Sequence, residues 1–140
     1  MDKEDARCLM PERYVIDTHT LFWYLTASPK LSVRAHTLLK EGENGKALFL
    51  IPSIVLAELF YVIERTGARL DFENEYEKIC EAGFFDIVSL SGFAILDFPK
   101  LSNVVDMHDR IIAGVAYREN IPIITRDKDI RKSKIVKVIW

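Results

Sequence analysis

The stretch that decides the fold of this chain is Tyr14-Val15-Ile16-Asp17-Thr18-His19-Thr20-Leu21-Phe22-Trp23-Tyr24-Leu25. Its first three residues are aromatic or β-branched, which is typical of a short buried strand. The sequence then turns polar, and the apolar residues at positions 20–25 indicate a helical turn. This segment therefore predicts a buried strand followed directly by a helix, with the carboxylate of Asp17 at the junction.

The same alternation continues along the chain. Apolar runs predict further strands over residues 47–51, 84–88 and 123–125, and a weaker alternation predicts an edge strand over residues 136–139. Helices are expected after N-caps at Ser32, Ser53 and Asp106, over residues 72–81, and around residues 93–98, where Pro99 ends the helix. Strands that alternate with helices imply an α/β fold, in which a mostly parallel sheet of about five strands has helices on both faces.

Length and composition limit the class of protein. The 140 residues suffice for one compact domain, placed at residues 14–140 after a charged N-terminal extension over residues 1–13. The extension lacks the apolar centre of a secretory signal, and no run reaches the roughly 18 apolar residues of a membrane span. Cys8 and Cys80 have no C-x-x-C spacing, so neither a disulfide scaffold nor a thiolate zinc site is expected, and a reducing cytoplasm fits.

Charge is balanced overall and uneven locally. The formal net charge of −2 argues against a protein that coats nucleic acid through bulk positive charge. From residue 126 onward, however, only Asp127 and Asp129 oppose a set of cations, namely Arg126, Lys128, Arg131, Lys132, Lys134 and Lys137. Either this cluster guides a polyanion toward an acidic site, or it is an ordinary solvated face.

Four carboxylates adjoin apolar runs that belong in the core: Asp17, Glu58, Asp109 and Asp127. Removing a bare carboxylate from water costs many kcal/mol unless it gains a partner, and the chain offers no obvious cation for each of the four. A divalent metal is the economical partner, and metals held by several carboxylates commonly act on phosphate esters. Because all the ligands are hard oxygens, Mg²⁺ or Mn²⁺ is expected rather than zinc or copper.

Chain topology explains why these carboxylates should meet. In an open parallel sheet, ligands bind beyond the carboxyl ends of the strands, where the strand order reverses. Asp17 and Asp127 follow the first and fourth predicted strands, so they face one crevice if those strands are neighbours. Glu58 lies one turn into the helix after the second strand, and Asp109 lies in the first turn of the helix before the fourth. Both helices should begin at that edge of the sheet.

Each of these residues also has a simpler interpretation. Asp17 has the position of an N-cap, and Asp106 and Asp109 have capping-box spacing. Asp127 and Asp129 have positions from which each can cap the turn before Arg131, and for Asp129 this capping role is preferred to a role in the site. Thr125 either orients a water or merely ends a strand. The remaining candidates are assigned to structural or surface positions, and these are His19, His36, His108, Phe22 and Trp23.

Four sequence blocks resemble the PIN-domain family, and specifically the VapC-type toxin ribonucleases of type II toxin-antitoxin systems. The blocks are Val15-Ile16-Asp17-Thr18, Pro52-Ser53-Ile54-Val55-Leu56-Ala57-Glu58-Leu59, Asp106-Met107-His108-Asp109-Arg110-Ile111-Ile112-Ala113, and Ile123-Ile124-Thr125-Arg126-Asp127. The resemblance implies a Mg²⁺- or Mn²⁺-dependent endoribonuclease whose metal ligands are Asp17, Glu58, Asp109 and Asp127, with support from Asp106 or Asp129. It also implies a small antitoxin partner and a homodimer. Met107-His108 departs from the family, which often has Pro and a small residue there.

The resulting hypothesis is hydrolysis of RNA by a water activated at the metal site, with Arg110 and Arg126 as candidates for contacting phosphate. Three alternatives stay open. These are a solitary PIN nuclease in RNA processing, a PIN fold retained only for binding, and a receiver-like signalling domain. A receiver needs an acceptor aspartate just beyond its third strand, whereas Asp86 is expected inside that strand.

Overall fold

The computed structural model describes residues 10–140, so most of the extension predicted over residues 1–13 lies outside the described residues. Five strands form one sheet: β1 (Glu12–Ile16), β2 (Ala47–Pro52), β3 (Phe85–Val88), β4 (Ile123–Ile124) and β5 (Val138–Ile139). Every neighbouring pair is parallel, and the strand order is β3-β2-β1-β4-β5. The predicted α/β fold with a five-stranded parallel sheet is confirmed.

Strand order reverses beside β1. The chain adds β2 and β3 on one side of β1 and then returns to place β4 and β5 on the other side. The register pairs Val15 with Ile123 and Ile16 with Ile124, so β1 and β4 end at the same level. The residues that follow these two strands, Asp17 and Thr125, are therefore brought to one edge of the sheet.

Helices cover both faces of the sheet, since consecutive strand residues point to opposite faces and adjacent residues of both central strands are buried, namely Val15 and Ile16 in β1 and residues 49–52 in β2. The helices are α1 (Thr18–Leu25), α2 (Val33–Glu43), α3 (Ser53–Thr66), α4 (Phe72–Ala82), α5 (Met107–Glu119) and α6 (Lys128–Ser133), with a 3₁₀ helix at Gly92–Leu101. No helix among residues 10–140 has both the length and the apolar character needed to cross a membrane.

Local cap predictions are confirmed at two positions. The Ser32 hydroxyl accepts a hydrogen bond from the N–H of Ala35 at 3.1 Å, and Asp106 caps α5. Gly67 and Gly83 end α3 and α4 in the left-handed conformation that glycine adopts without a steric penalty.

Two local predictions are wrong. Ser53 is the first residue of α3 and not its N-cap, and its hydroxyl instead accepts a hydrogen bond from the N–H of Leu90 at 3.2 Å. Pro52 occupies the N-cap position, where no side chain caps the helix. Pro99 lies inside the 3₁₀ helix, which continues to Leu101. Proline fixes φ near −65°, a value that 3₁₀ turns accept, so Pro99 removes one donor without ending the helix.

Candidate active site

Asp17 lies immediately after β1 and has two structural partners. One carboxylate oxygen accepts a hydrogen bond from the N–H of Thr20 at 3.0 Å, so Asp17 caps α1 as one interpretation of the sequence predicted. The other oxygen accepts a hydrogen bond from the hydroxyl of Thr125, at the end of β4. Burial raises the pKa of Asp17 above its ordinary value, and the hydrogen bonds from Thr125 and Thr20 oppose that rise.

Asp127 follows β4 and caps α6. Its carboxylate accepts a hydrogen bond from the N–H of Ile130 at 2.9 Å, and its own N–H donates to the Thr125 hydroxyl oxygen at 3.0 Å. The capping role predicted for Asp129 is therefore wrong. Asp129 is instead exposed and lies in the first turn of α6, because the helix begins two residues earlier than that cap requires.

Glu58 reaches the same edge of the sheet from α3. Its Oε1 accepts a hydrogen bond from the Thr18 hydroxyl at 2.8 Å, and its Oε2 lies 3.3 Å from Nδ1 of His108 on α5. A carboxylate can only accept, so Nδ1 of His108 must carry the hydrogen in this contact. Both oxygens of Glu58 are thus held by side chains from other helices, and the sequence had singled out neither Thr18 nor a pairing of His108.

Asp109 lies in the first turn of α5, where its N–H donates to the carboxylate of Asp106 at 3.0 Å. Its pKa is raised to about 7, first by partial burial and then by the negative charges of Asp127, Asp106, Glu58 and Asp17. A carboxylate responds in this way when several like charges lie close to it in a medium of low dielectric constant. The four carboxylates therefore share one electrostatic environment.

These side chains surround an open cavity of about 260 Å³. Its lining residues are Asp17, Thr18, His19, Trp23, Glu58, Asp109, Ile112, Arg126 and Asp127. The structure thus brings together all four carboxylates that the sequence singled out. Asp106 and Asp129 lie instead on an adjoining hollow, which Asp109 also lines.

The two arginines proposed to contact phosphate have different surroundings. Arg126 lines the cavity, and its guanidinium lies 4.6 Å from the centre of the Trp23 ring. Arg110 donates to the carbonyl oxygens of Val104 at 2.6 Å and Ser102 at 3.4 Å. Arg110 therefore ties the loop before α5 to that helix, and it is not among the residues that line the cavity.

The basic C-terminal residues do not form one uniform face. Arg126 follows β4, whereas Lys137 precedes β5. Because β4 and β5 are parallel, these two residues lie toward opposite edges of the sheet. Only Arg126 of the six lines the carboxylate cavity.

The cavity fits a hydrated divalent cation. Its donors are carboxylate oxygens, the ligands that Mg²⁺ and Mn²⁺ prefer, and burial together with the neighbouring carboxylates raises the pKa of Asp109. Across residues 10–140, no three His, Cys, Asp or Glu side chains form a compact metal-ligand cluster. Spaced carboxylates remain compatible with Mg²⁺, because this ion usually keeps several waters and binds only one or two carboxylates directly.

Asp86, the residue that a receiver-like function would need beyond β3, lies inside that strand and is exposed. It is not among the residues that line the carboxylate cavity. The receiver-like alternative therefore lacks an acceptor aspartate at the position it requires.

Several solved structures share this fold at low sequence identity. VapBC2 from Rickettsia felis, bound to a DNA fragment from its promoter, has a TM-score of 0.67 and 19% identity over 91% of this chain and 98% of that one. FitAcB from Neisseria gonorrhoeae has a TM-score of 0.65 and 17% identity, covering 91% and 96%. A toxin-antitoxin complex from Klebsiella pneumoniae has a TM-score of 0.64 and 18% identity, again covering 91% and 96%.

Comparison of the sequence with protein-family models identifies a family, whereas comparison with curated proteins does not. No curated protein sequence matches this chain significantly. The family model described as PIN domain matches residues 14–135, a range that includes the last three residues of β1, all of β2, β3 and β4, and the four carboxylates of the cavity. This chain belongs to the PIN domain family.

Proposed function

We propose that this protein is a divalent-metal-dependent endoribonuclease in which Asp17, Glu58, Asp109 and Asp127 hold one or two Mg²⁺ or Mn²⁺ ions. The observation that carries this proposal is the convergence of these four carboxylates, from four separate parts of the chain, on one open cavity. Like charges that surround one cavity destabilise a folded domain unless protons or a cation neutralise them. Membership of the PIN domain family supports a nuclease.

The chemistry that the divalent ion supplies when bound is Lewis-acid stabilisation of the phosphodiester and acidification of a water. The chain's own residues hold the metal-binding carboxylates in place and orient them. Thr125 fixes Asp17, and Thr18 with His108 fixes Glu58. Asp106 has a supporting role through its hydrogen bond to the N–H of Asp109. Arg126 supplies a cation on the wall of the cavity for a substrate phosphate.

The products follow from the choice of nucleophile. Attack by water on the phosphorus, with the 3′-oxygen as the leaving group, breaks the bond between them and leaves a 5′-phosphate on one fragment and a 3′-hydroxyl on the other. Attack by the RNA's own 2′-hydroxyl leaves a 2′,3′-cyclic phosphate instead. The proposed mechanism therefore predicts 5′-phosphate and 3′-hydroxyl ends, and recovery of cyclic phosphate ends contradicts it.

The decisive test is cleavage of single-stranded RNA with Mn²⁺ and with a chelator. We expect the parent protein to cleave only with metal, and the Asp17→Asn variant to lose most of that activity because it keeps the shape of Asp17 and removes its charge. Asp86→Asn is the matched control, since it is the same substitution at an exposed position outside the cavity. Equal activity in Asp17→Asn and the parent removes Asp17 from the site.

We further propose that the protein is the toxin of a toxin-antitoxin pair, acts in the cytoplasm as a homodimer and is held inactive by a small antitoxin. The support is the fold it shares with structures described as VapBC2 and as a toxin-antitoxin complex. Co-purification with the product of a small open reading frame directly upstream, with loss of RNA cleavage in the complex, is the expected result. Light scattering of the purified protein tests the dimer. An active nuclease with no such partner would instead be a solitary RNA-processing enzyme.

A further inference from the structure

Arg126 is placed unusually for a cation beside an acidic cavity. It adjoins Asp127 in sequence and lines the cavity with four carboxylates, yet within residues 10–140 it forms no ion pair. Arginine and carboxylate normally form bidentate pairs when they can reach each other. Here the guanidinium lies over the ring of Trp23, 4.6 Å from its centre.

Trp23 is well suited to hold that guanidinium in one place. Its side chain is 6% exposed, and its ring packs against His19 at 5.5 Å and Trp140 at 5.8 Å between ring centres. A cation over an indole face is attracted by the electrons of the ring. The contact places Cζ of the guanidinium over the ring, and the N–H donors of Arg126 that do not face the ring stay available to another group.

We propose that Trp23 and Arg126 form an anion subsite that binds a phosphodiester of the RNA strand beside the metal-binding carboxylates, with Trp23 as the positioning residue for Arg126. This proposal rests on the proposed ribonuclease function and adds to it a second contact with the substrate. The planar fork of arginine matches two phosphate oxygens, a geometry that lysine does not provide.

Separation of Arg126 from the carboxylates serves both parts of the site. A guanidinium paired with Asp17 or Asp127 would neutralise charge that the metal needs and would lose the donors that a phosphate needs. Stacking on Trp23 holds the positive charge on the cavity wall without either loss. The subsite and the metal site should therefore respond separately to mutation.

Steady-state RNA cleavage kinetics with saturating Mn²⁺ tests this inference. Loss of a charge-assisted hydrogen bond predicts a KM about 10- to 100-fold higher for Arg126→Ala, with a much smaller change in kcat. Arg126→Lys should recover only part of that loss, because it keeps the charge and not the fork. Arg65→Ala, at the far end of α3 and exposed, is the matched control and should keep the parent KM.

A double-mutant cycle between Trp23 and Arg126 tests the role of Trp23. Trp23→Leu should raise KM by about 2- to 5-fold in the parent, the value of an exposed cation–π contact, and should have no further effect in Arg126→Ala. Trp23→Phe should keep most of the parent KM because it retains an aromatic face. A merely structural role for Trp23 would instead give additive losses and a lower kcat.

The outcomes separate the two proposals. A parent protein that does not cleave RNA contradicts the proposed function itself. A parent that cleaves RNA, with an unchanged KM in Arg126→Ala, leaves the nuclease in place and overturns the anion subsite. Mn²⁺ affinity, measured by calorimetry, should not be weakened in Arg126→Ala, and a large loss of affinity would show that Arg126 belongs to the metal site instead.

Discussion

Thr125 joins the ends of two neighbouring strands by donating its hydroxyl hydrogen to Asp17. The same hydroxyl oxygen accepts the N–H of Asp127 at 3.0 Å, and the residue is fully buried. One hydroxyl therefore positions a carboxylate after β1 and the start of the turn after β4. The sequence alone left open whether Thr125 had any role at the site.

Thr125→Val should uncouple the two strand ends. Valine keeps the shape of threonine and removes both a donor and an acceptor, so the buried groups of Asp17 and Asp127 lose their partner. Leaving buried polar groups unpaired costs about 1–3 kcal/mol, and the free energy of unfolding in urea should fall by that amount. Thr125→Ser keeps the hydroxyl and should retain more of the parent stability. Equal stability of the valine variant and the parent would contradict this role.

The raised pKa of Asp109 predicts how the free energy of unfolding depends on pH when a chelator removes the metal. Its pKa is raised to about 7 by burial and neighbouring carboxylates, so the folded protein holds a proton that the unfolded chain releases near pH 4. The folded state thus loses stability as pH rises from about 4 to 7, and the full penalty is present above that range.

Asp109→Asn removes this penalty. The variant should gain thermal stability over the parent at about pH 8, with a smaller gain at about pH 5, where Asp109 is mostly protonated in the folded parent. Mn²⁺ should raise the melting temperature of the parent more than that of the variant at the higher pH. An equal gain in melting temperature at both pH values would show that burial and the neighbouring carboxylates do not raise the pKa of Asp109.

The contact between His108 and Glu58 predicts that removing His108 weakens metal binding. Its ring nitrogen lies 3.3 Å from Oε2 of Glu58, and removing a hydrogen-bond partner of a metal ligand typically weakens binding about 10-fold or more. His108→Ala should therefore bind Mn²⁺ about 10-fold more weakly than the parent. His36→Ala, at an exposed position on α2, is the control. Unchanged affinity, read from the free Mn²⁺ signal in electron paramagnetic resonance, would show that His108 does not orient Glu58.

The sequence located the four carboxylates because their placement follows from chain order. A residue just after a parallel strand must lie at its carboxyl edge, and Asp17 and Asp127 need only that rule. The partners of Glu58 could not be found in this way. Thr18 and His108 are 40 and 50 residues from Glu58, so their contacts depend on how α1, α3 and α5 pack.

The wrong cap predictions at Ser53 and Asp129 have a common physical origin. Ser53 and Asp129 were assigned as caps, and in each case another residue occupies that position because the helix begins earlier than predicted. Cap preferences identify suitable residue types within a few positions, and packing selects among them. The stacking of Arg126 on Trp23 likewise depends on tertiary packing, since the residues lie in α1 and after β4.

Gly42 provides a test of the fold that is independent of the site. A Cβ added at this helical position would lie 2.6 Å from Cε2 of Phe49 and 2.8 Å from Cδ2 of Phe84. Phe49 is fully buried and its ring cannot withdraw, so overpacking should lower the free energy of unfolding of Gly42→Ala by about 1–3 kcal/mol. This loss should exceed the helix-propensity gain of up to about 1 kcal/mol.

Gly114→Ala on α5 is the matched substitution. Its Cβ would meet only the Leu101 side chain, at 3.3 Å, and that methyl group can shift by a few tenths of an ångström. Urea denaturation should show this variant to be as stable as the parent or slightly more stable, because helix propensity then decides the sign. If Gly42→Ala proved equally well tolerated, the close approach of α2 to β2 at Phe49 would be wrong. The helix would then have to sit farther from the sheet than the structure places it.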